Sequence, residues 1–175
     1  MKSLLVLARN ALVKYFQGEE VKPFEEIKKK YSNKQACFVT LTKKGELRGC
    51  IGSLYPRQEL WKDVIENSIS AGFRDTRFLP LKEEELSKIK IEISILSIPK
   101  KLEFKSPEDL LKKLNSRYGV ILQKRMNSAT FLPQVWEQIP DKINFLEQLS
   151  LKARLSKDAW KTAEVWVYEV EKIKE

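Results

Sequence analysis

The chain has 175 residues, of which 42% are hydrophobic, and a formal net charge of +9 at pH 7. This length predicts one domain with a sizeable core, and no apolar run is long enough for a transmembrane helix. The chain has two cysteines and no histidine, which excludes a disulfide scaffold, a Cys/His metal cluster, and Ser-His-Asp or Cys-His catalysis.

The first part of the chain predicts two helices followed by a hairpin. Apolar residues at helical spacing predict an amphipathic helix over 4–16. Arg9 interrupts the apolar run and no small-residue cleavage site follows, so we interpret this segment as part of a cytoplasmic protein rather than a signal peptide. Pro23 can open a second, short helix. The period then changes to two, and the turn "KKGE" predicts a β-hairpin over 36–54.

The rest of the chain alternates between helices and strands. The predicted elements are, in chain order, a helix over 57–73, a break over 74–81, a strand over 88–99, a helix from the N-cap Ser106 through Leu114, a hairpin over 118–133, a helix over 142–155 and a strand over 163–173. Short hairpin connections favour an α+β fold, with an antiparallel β-sheet flanked by helices, over a doubly wound parallel sheet. No nucleotide-binding loop follows any predicted strand.

The stretch "LRGCIGSL" (47–54) has an unusual composition for a strand, because a cysteine stands between two glycines. Simple alternation places Arg48, Cys50 and Gly52 on one face. An arginine beside a thiol favours the thiolate form, and Gly49 and Gly52 would let a substrate or a second backbone approach closely. The alternative is that Cys50 is small core filler and that the glycines mark a bulge or a tight contact between helix and sheet.

Two further stretches carry candidate site residues. In "FRDTRF" (73–78), Asp75 and Arg77 follow a helix and could orient an anionic or hydroxylated ligand, or they could form a surface ion pair that holds a loop. In "FLPQVW", Gln134 is polar where a core segment would not need a polar residue.

The positive charge suggests a nucleic-acid partner. The lysines are scattered beside glutamates, however, as in "FEEIKKKY" and "LPLKEEELSKIKIE". Such Lys/Glu-rich surfaces are typical of solvated helices and of proteins from hot environments. We therefore favour solubility and stability as the role of the charge, and keep a phosphate-containing partner as the alternative.

Five segments resemble one known family in their order along the chain. They are "LRGCIG" (47–52), "DTRF" followed by "PL" (75–81), "EISILS" (92–97), "FLPQVW" (131–136) and "LKARL" with a later tryptophan (151–160). Together they resemble the AMMECR domain family, whose hallmark is the unaltered motif LRGCIG. Thr76 and Leu79 stand where the family loop usually has prolines, and Arg154 stands where it usually has glycine.

The resemblance implies a single AMMECR-type domain over residues 1–175. It implies a larger lobe, formed from both chain ends around an antiparallel sheet, and a smaller lobe from the middle of the chain that is also built on an antiparallel sheet. It implies no defined reaction. Genomic association in the family suggests a modification pathway with Memo-type proteins and radical S-adenosylmethionine enzymes, and a role in transcription, replication, repair or translation has also been suggested.

Three functional hypotheses follow. The first is a cysteine-dependent enzyme or ligand-binding protein with a cleft at the motif. In it, Cys50 is nucleophile or carrier, Asp75 positions a group or accepts a proton, and the binding residues are Arg48, Gly49, Gly52, Arg77 and Gln134. The second is a non-catalytic protein-interaction module, and the third is a nucleic-acid-associated protein. The sequence indicates no metal site and identifies no cofactor, and it leaves open whether the protein is an enzyme.

Overall fold

Helices and strands alternate along the chain, which the computed structural model describes over residues 2–175. The α-helices of this range are α1 (Lys2–Phe16), α2 (Glu25–Lys30), α3 (Leu60–Phe73), α4 (Pro107–Lys113), α5 (Val135–Gln138) and α6 (Lys142–Lys152). The strands are β1 (Ala36–Lys43), β2 (Glu46–Gly52), β3 (Ile89–Leu96), β4 (Lys100–Lys101), β5 (Gly119–Lys124), β6 (Asn127–Phe131), β7 (Glu164–Tyr168) and β8 (Val170–Lys174). One-turn 3-10 helices cover Glu83–Glu85 and Ala159–Lys161.

The chain divides into two compact units. The first contains the chain up to Ile98 together with Glu171–Glu175, and the second contains Pro99–Val170. Each unit has a four-stranded sheet, with strand order β2-β1-β3-β8 in the first and β4-β7-β5-β6 in the second. The antiparallel pairing within these sheets confirms the predicted α+β fold class.

In the first unit, one face of the sheet is covered by helices. α1 places Leu4, Ala8 and Leu12, all fully buried, on one helical stripe. α3 packs against α1 and against strands β1 and β2. Val39 and Leu41 alternate on the face of β1 that meets these helices, and both are 0% exposed. The core of this unit therefore lies between the α1–α3 layer and the sheet.

A buried hydrogen-bond network fixes α3 to the first hairpin. The carboxylate of Asp63, which is 2% exposed, accepts a hydrogen bond from the backbone N–H of Cys37 at 2.9 Å and from Ser53 Oγ at 3.0 Å. Asn67, one turn later on α3, donates to the same carboxylate and to the carbonyl oxygen of Cys37. These bonds satisfy polar groups that would be costly to bury alone, so they fix the position of α3 along the strands.

The second unit has its own capped helix and its own core, which includes a stacked aromatic pair. Ser106 caps α4 as predicted, since its side chain accepts a hydrogen bond from the backbone N–H of Asp109. Trp136 stacks on Phe145 with ring centroids 3.6 Å apart. Tyr168 is 1% exposed, and burial raises the pKa of its hydroxyl to about 12.

The C-terminal segment differs from its prediction. Residues 163–173 were expected to form one strand, and this is wrong. β7 pairs with β5 as far as Tyr168, whereas β8 joins the first sheet beside β3. Continuous apolar alternation shows where a chain is extended, but it cannot show that two successive stretches join different sheets. No helix within residues 2–175 is long and apolar enough to cross a membrane.

Candidate functional site

The LRGCIG motif lies on β2, an edge strand of the first sheet, and contains a β-bulge. Thr42 pairs with Leu47, but the next residue back along β1, Leu41, pairs with Gly49. Arg48 is therefore an additional residue with no partner across the hairpin. Bulges of this kind re-aim the side chains that follow them and are common beside active sites.

The bulge decides which face of the sheet carries Cys50. Near the turn, Lys43 pairs with Glu46 and Thr42 with Leu47. If this register continued without a bulge, Cys50 would lie opposite Val39, which is fully buried on the helix-covered face. With the bulge, Cys50 lies opposite Thr40, on the other face. The Thr40 hydroxyl donates to the Cys50 sulfur at 3.3 Å, and Cys50 is partly exposed, whereas Cys37 is fully buried.

The two glycines of the motif are explained by close packing. A Cβ atom on Gly49 would lie 2.1 Å from the backbone oxygen of Ala71, because α3 passes directly over the strand there. A Cβ atom on Gly52 would lie 2.3 Å from the ring of Phe38. Both positions therefore exclude any larger residue without a shift of a neighbour. Protein atoms, and not open space, adjoin both glycines.

Asp75 and Arg77 close the open edge of β2 at Cys50. The Asp75 carboxylate accepts a hydrogen bond from the Cys50 backbone N–H at 2.9 Å, and Arg77 Nη2 donates to the Cys50 carbonyl oxygen at 3.1 Å. Arg77 also binds the carboxylate through two nitrogens, at 2.9 and 2.7 Å. The pair thus satisfies the strand edge as a neighbouring strand would.

The electrostatics of this pair limit what Asp75 can do. Its side chain is almost fully buried, and the hydrogen bonds from Arg77 hold the pKa of its carboxyl well below the usual range, with the Cys50 N–H adding to the effect. A carboxylate held ionised in this way accepts a proton poorly. Its observed contacts with Cys50 are to the backbone, so the geometry favours a positioning role.

Arg48 belongs to a second cluster, centred on Glu85. The guanidinium of Arg48 donates to both carboxylate oxygens of Glu85, at 3.1 and 2.9 Å, and Lys43 Nζ donates at 2.7 Å. The backbone N–H of Lys82 also donates to this carboxylate. These bonds, with that from Arg48 foremost, lower the pKa of the Glu85 carboxyl. The shared face predicted for Arg48 and Cys50 is wrong, because the bulge interrupts the alternation between them.

A pocket of about 440 Å³ lies between these clusters and the segment that follows Asp75. We call it the motif pocket. It is lined by Lys43, Arg48, Arg77, Phe78, Leu79, Pro80, Lys82, Glu84 and Glu85. Lys82 makes no ion pair with any residue of the range 2–175, and the Arg77 side chain is 55% exposed. Within that range, no group of three Cys, Asp or Glu side chains could hold a metal ion.

Some of the predicted site residues are in contact with one another, whereas one of them lies in the second unit. Cys50, Asp75 and Arg77 are in direct contact, and Arg48 binds Glu85. Gln134 lies in the second unit at the start of α5, where its Oε1 atom is buried and has no hydrogen-bond partner among the described residues.

Sequence reasoning missed Thr40, Lys43, Lys82 and Glu85. Glu85 stands in a run of three glutamates that reads as a solvated turn, and only its burial, at 6% exposed, distinguishes it from its neighbours. The bulge hid the pairing of Thr40 with Cys50, because an unbroken hairpin would place Thr40 opposite Gly49 instead. Nothing in the local sequence marks Lys43 or Lys82.

Known proteins include relatives that match almost the whole length of this chain. A family model described as AMMECR1 matches residues 5–173. A protein of Aquifex aeolicus is 38% identical over 176 residues, which cover 96% of this chain and 88% of that protein. The chain belongs to the AMMECR1 family. This confirms the resemblance predicted from the five ordered segments.

A further relative and one solved structure are similar to almost the whole chain. Protein MK0488 of Methanopyrus kandleri is 38% identical over 183 residues, which cover 98% of this chain and 86% of that protein. The crystal structure of the uncharacterised protein PH0010 from Pyrococcus horikoshii matches with a TM-score of 0.88 and 32% identity, covering 98% of this chain and 89% of that one. The α+β fold described above is therefore one that a solved structure of similar sequence shares.

Proposed function

We propose that this AMMECR1-family protein binds a small anionic molecule in the motif pocket. The observation that carries the proposal is the pocket itself: a volume of about 440 Å³ beside LRGCIG, in which cations from three separate segments meet. Pockets of this size suit small molecules and not extended polymers. The role of the motif is then to build the wall from which Arg48 reaches the pocket.

The charge balance of the pocket favours an anion. Four cations line it, whereas three carboxylates line it or bind its cations, namely Glu84, Glu85 and Asp75. Lys82 has no ion-pair partner in the described range, and 55% of the Arg77 side chain is exposed although it pairs with Asp75. A phosphate or carboxylate group would bind these two cations without displacing an existing ion pair.

The apolar part of the lining favours a ligand that also has a carbon part. Phe78, Leu79 and Pro80 line the pocket, and Leu79 is 82% exposed. These three consecutive residues give the pocket an apolar surface that a carbon part of a ligand can contact. Phosphate and carboxylate share the chemistry that the cations recognise, so both head groups are tested below.

The test is a calorimetric titration with phenyl phosphate and benzoate, with benzyl alcohol as the neutral counterpart. We expect both anions to bind and the alcohol not to. Lys82→Ala should weaken anion binding about two- to fivefold, as expected for one exposed charge pair. Lys88→Ala, which removes an exposed lysine of the same segment outside the pocket, should leave it unchanged. Equal binding of the alcohol, or equal effects of the two variants, would refute an anion site.

A second candidate function is thiol chemistry at Cys50, as nucleophile or carrier. It is supported by the bulge, which moves the thiol away from the core, and by the hydrogen bond from Thr40. In this proposal Asp75 and Arg77 act as positioning residues through the Cys50 backbone. Cys50→Ser should then abolish turnover of a candidate substrate and leave the affinity for phenyl phosphate unchanged. Turnover retained in Cys50→Ser would exclude this role.

Other roles suggested by composition or by family resemblance remain separate proposals. Memo-type and radical S-adenosylmethionine proteins are proposed partners, and a cytoplasmic location is proposed with them. A nucleic-acid role would rest on the net charge of +9. It requires binding to mixed RNA or DNA that falls steeply with salt, because each phosphate contact releases counterions.

A further inference from the structure

A second concave surface lies on the first unit, away from the motif. It has a volume of about 420 Å³ and is lined by Tyr15, Glu19, Glu20, Val21, Gln58, Trp61, Lys62, Ile65, Glu66 and Ile69. We call it the α3 groove. Trp61, Ile65 and Ile69 follow one another at intervals of four residues, so they form one stripe about 12 Å long on α3.

The α3 stripe is distinct from the face of α3 that builds the core. Leu60, Val64 and Ala71 are almost completely buried, whereas Trp61 and Ile65 are only partly buried at the edge of the core cluster. Trp61 and Ile65 therefore contact the core on one side and line the groove on the other.

The charge of the groove is opposite to that of the protein. Three carboxylates, those of Glu19, Glu20 and Glu66, line it together with one lysine, Lys62, in a chain whose net charge is +9. Glu19 pairs with Lys14 and Lys62 pairs with Glu59, so the acidic rim consists of Glu20 and Glu66. Two lysine ammonium groups already approach the Trp61 ring, Lys62 at 5.2 Å and Lys28 at 6.0 Å from its centroid. Apolar contacts with an acidic rim suit a partner that is apolar on one side and basic at its margins.

The walls of the groove favour a helix as the occupant. They come from the last turn of α1, from α3, and from short connecting segments, and no strand edge lines them. An extended peptide would therefore find no strand to pair with, whereas a helix can pack along α3 beside Tyr15. Tyr15 is 42% exposed, and its ring contacts Phe73 at a centroid distance of 4.2 Å, which holds it in place.

We propose that the α3 groove is a docking surface for a positively charged amphipathic helix of a partner protein. The helix would place apolar side chains at i and i+4 against Ile65 and Ile69, and lysines or arginines against the acidic rim. Binding at this surface is independent of the motif pocket, so either proposal can fail without the other.

The probe is a fluorescein-labelled Leu/Lys amphipathic peptide of about 18 residues, long enough to form a helix on binding. A Leu/Glu peptide with the same apolar face and a basic proline-rich peptide serve as comparisons. Fluorescence anisotropy should show saturable binding of the Leu/Lys peptide only. Equal binding of the Leu/Glu peptide would show that the acidic rim does not select a basic partner. Tighter binding of the proline-rich peptide would show that the partner is not a helix. The absence of saturable binding would overturn the proposal.

Matched variants locate the binding. The double variant Glu20→Lys/Glu66→Lys should weaken the Leu/Lys peptide about tenfold, whereas Glu103→Lys/Glu137→Lys, which reverses two exposed charges in the second unit, should change binding less than about twofold.

The apolar contact is tested by a second pair of variants. Tyr15→Ala should weaken the Leu/Lys peptide, and Tyr55→Ala, at a tyrosine that is 46% exposed outside the groove, should not. Equal effects within either matched pair would show that the peptide binds elsewhere, and concentration-dependent dimerisation abolished by Tyr15→Ala would show that a second copy is the occupant. Circular dichroism melting of each variant ensures that a loss of binding is not a loss of folding.

Discussion

Replacing Gly49 by alanine should strongly destabilise the first unit. The bulge turns this position towards α3, where the new methyl group would lie 2.1 Å from the backbone oxygen of Ala71 and 3.0 Å from its carbonyl carbon. Two non-bonded carbon atoms are normally in contact at about 3.5–4.0 Å. The obstacle is helix backbone, so relief requires α3 or β2 to move as a whole.

The magnitude follows from this geometry. Overpacking a core costs about 1–3 kcal/mol, and the upper end applies where backbone must move. Alanine also lowers the entropy of the unfolded chain relative to glycine, which offsets roughly 0.5–1 kcal/mol. We therefore expect a net loss of about 2 kcal/mol in the free energy of unfolding, which corresponds to a fall in melting temperature of roughly 4–8 °C for a chain of this size.

Urea unfolding monitored by circular dichroism measures this loss. Gly72→Ala is the matched control, because Gly72 lies within α3 and its new Cβ would lie 3.0 Å from the flexible end of Leu12 and at an ordinary contact distance of 3.7 Å from Leu81. There the gain in helix propensity, up to about 1 kcal/mol, should offset the slight crowding. If Gly49→Ala were as stable as Gly72→Ala, the bulge and the packing of α3 on it would be wrongly described.

Two other predictions concern buried carboxylates. Asp75 and Glu85 have pKa values below the usual range, so their ionised forms stabilise the fold above the ordinary carboxyl pKa of about 4, and this contribution is lost as pH falls below it. Asp75→Asn and Glu85→Gln should therefore each flatten the fall in unfolding free energy between about pH 5 and pH 3, measured by urea titrations. An unchanged slope would contradict the ion-pair account. Asp63→Ala should lower the free energy of unfolding by about 3 kcal/mol, because it leaves the buried Cys37 N–H without a partner. Glu66→Ala, at an exposed position of the same helix, should lower it by less than about 0.5 kcal/mol. A similar loss for both variants would show that the Asp63 network does not stabilise α3.

Much of the fold is readable from local sequence patterns. The hairpin of β1 and β2, the capped start of α4 at Ser106 and the alternation of β3 all appear where period, turn and cap residues predict them. These features depend on residues close together in sequence. The pairing of β8 with β3 brings together segments about 80 residues apart, and local patterns contain no information about it.

The candidate site was only partly predictable, for one physical reason. The residues of the site could be recognised from the sequence, because Cys50, Asp75 and Arg77 all lie in segments of unusual composition. Its geometry depends on one additional residue, Arg48, because a register shift of one residue moves every later side chain to the opposite face. Glycine at position 49 is compatible with a bulge or with a regular strand, so the sequence left both open.

The most direct test of the account is the relative alkylation of the two cysteines in the native protein. The bulge places Cys50 on the face away from the core, whereas Cys37 is fully buried and its thiol has a pKa raised by burial and by Asp63. Iodoacetamide labelling followed by mass spectrometry should modify Cys50 at least roughly a hundredfold faster than Cys37, which reacts only when the unit opens. Equal protection of both thiols until unfolding would place Cys50 in the core and contradict the bulge as the origin of the site.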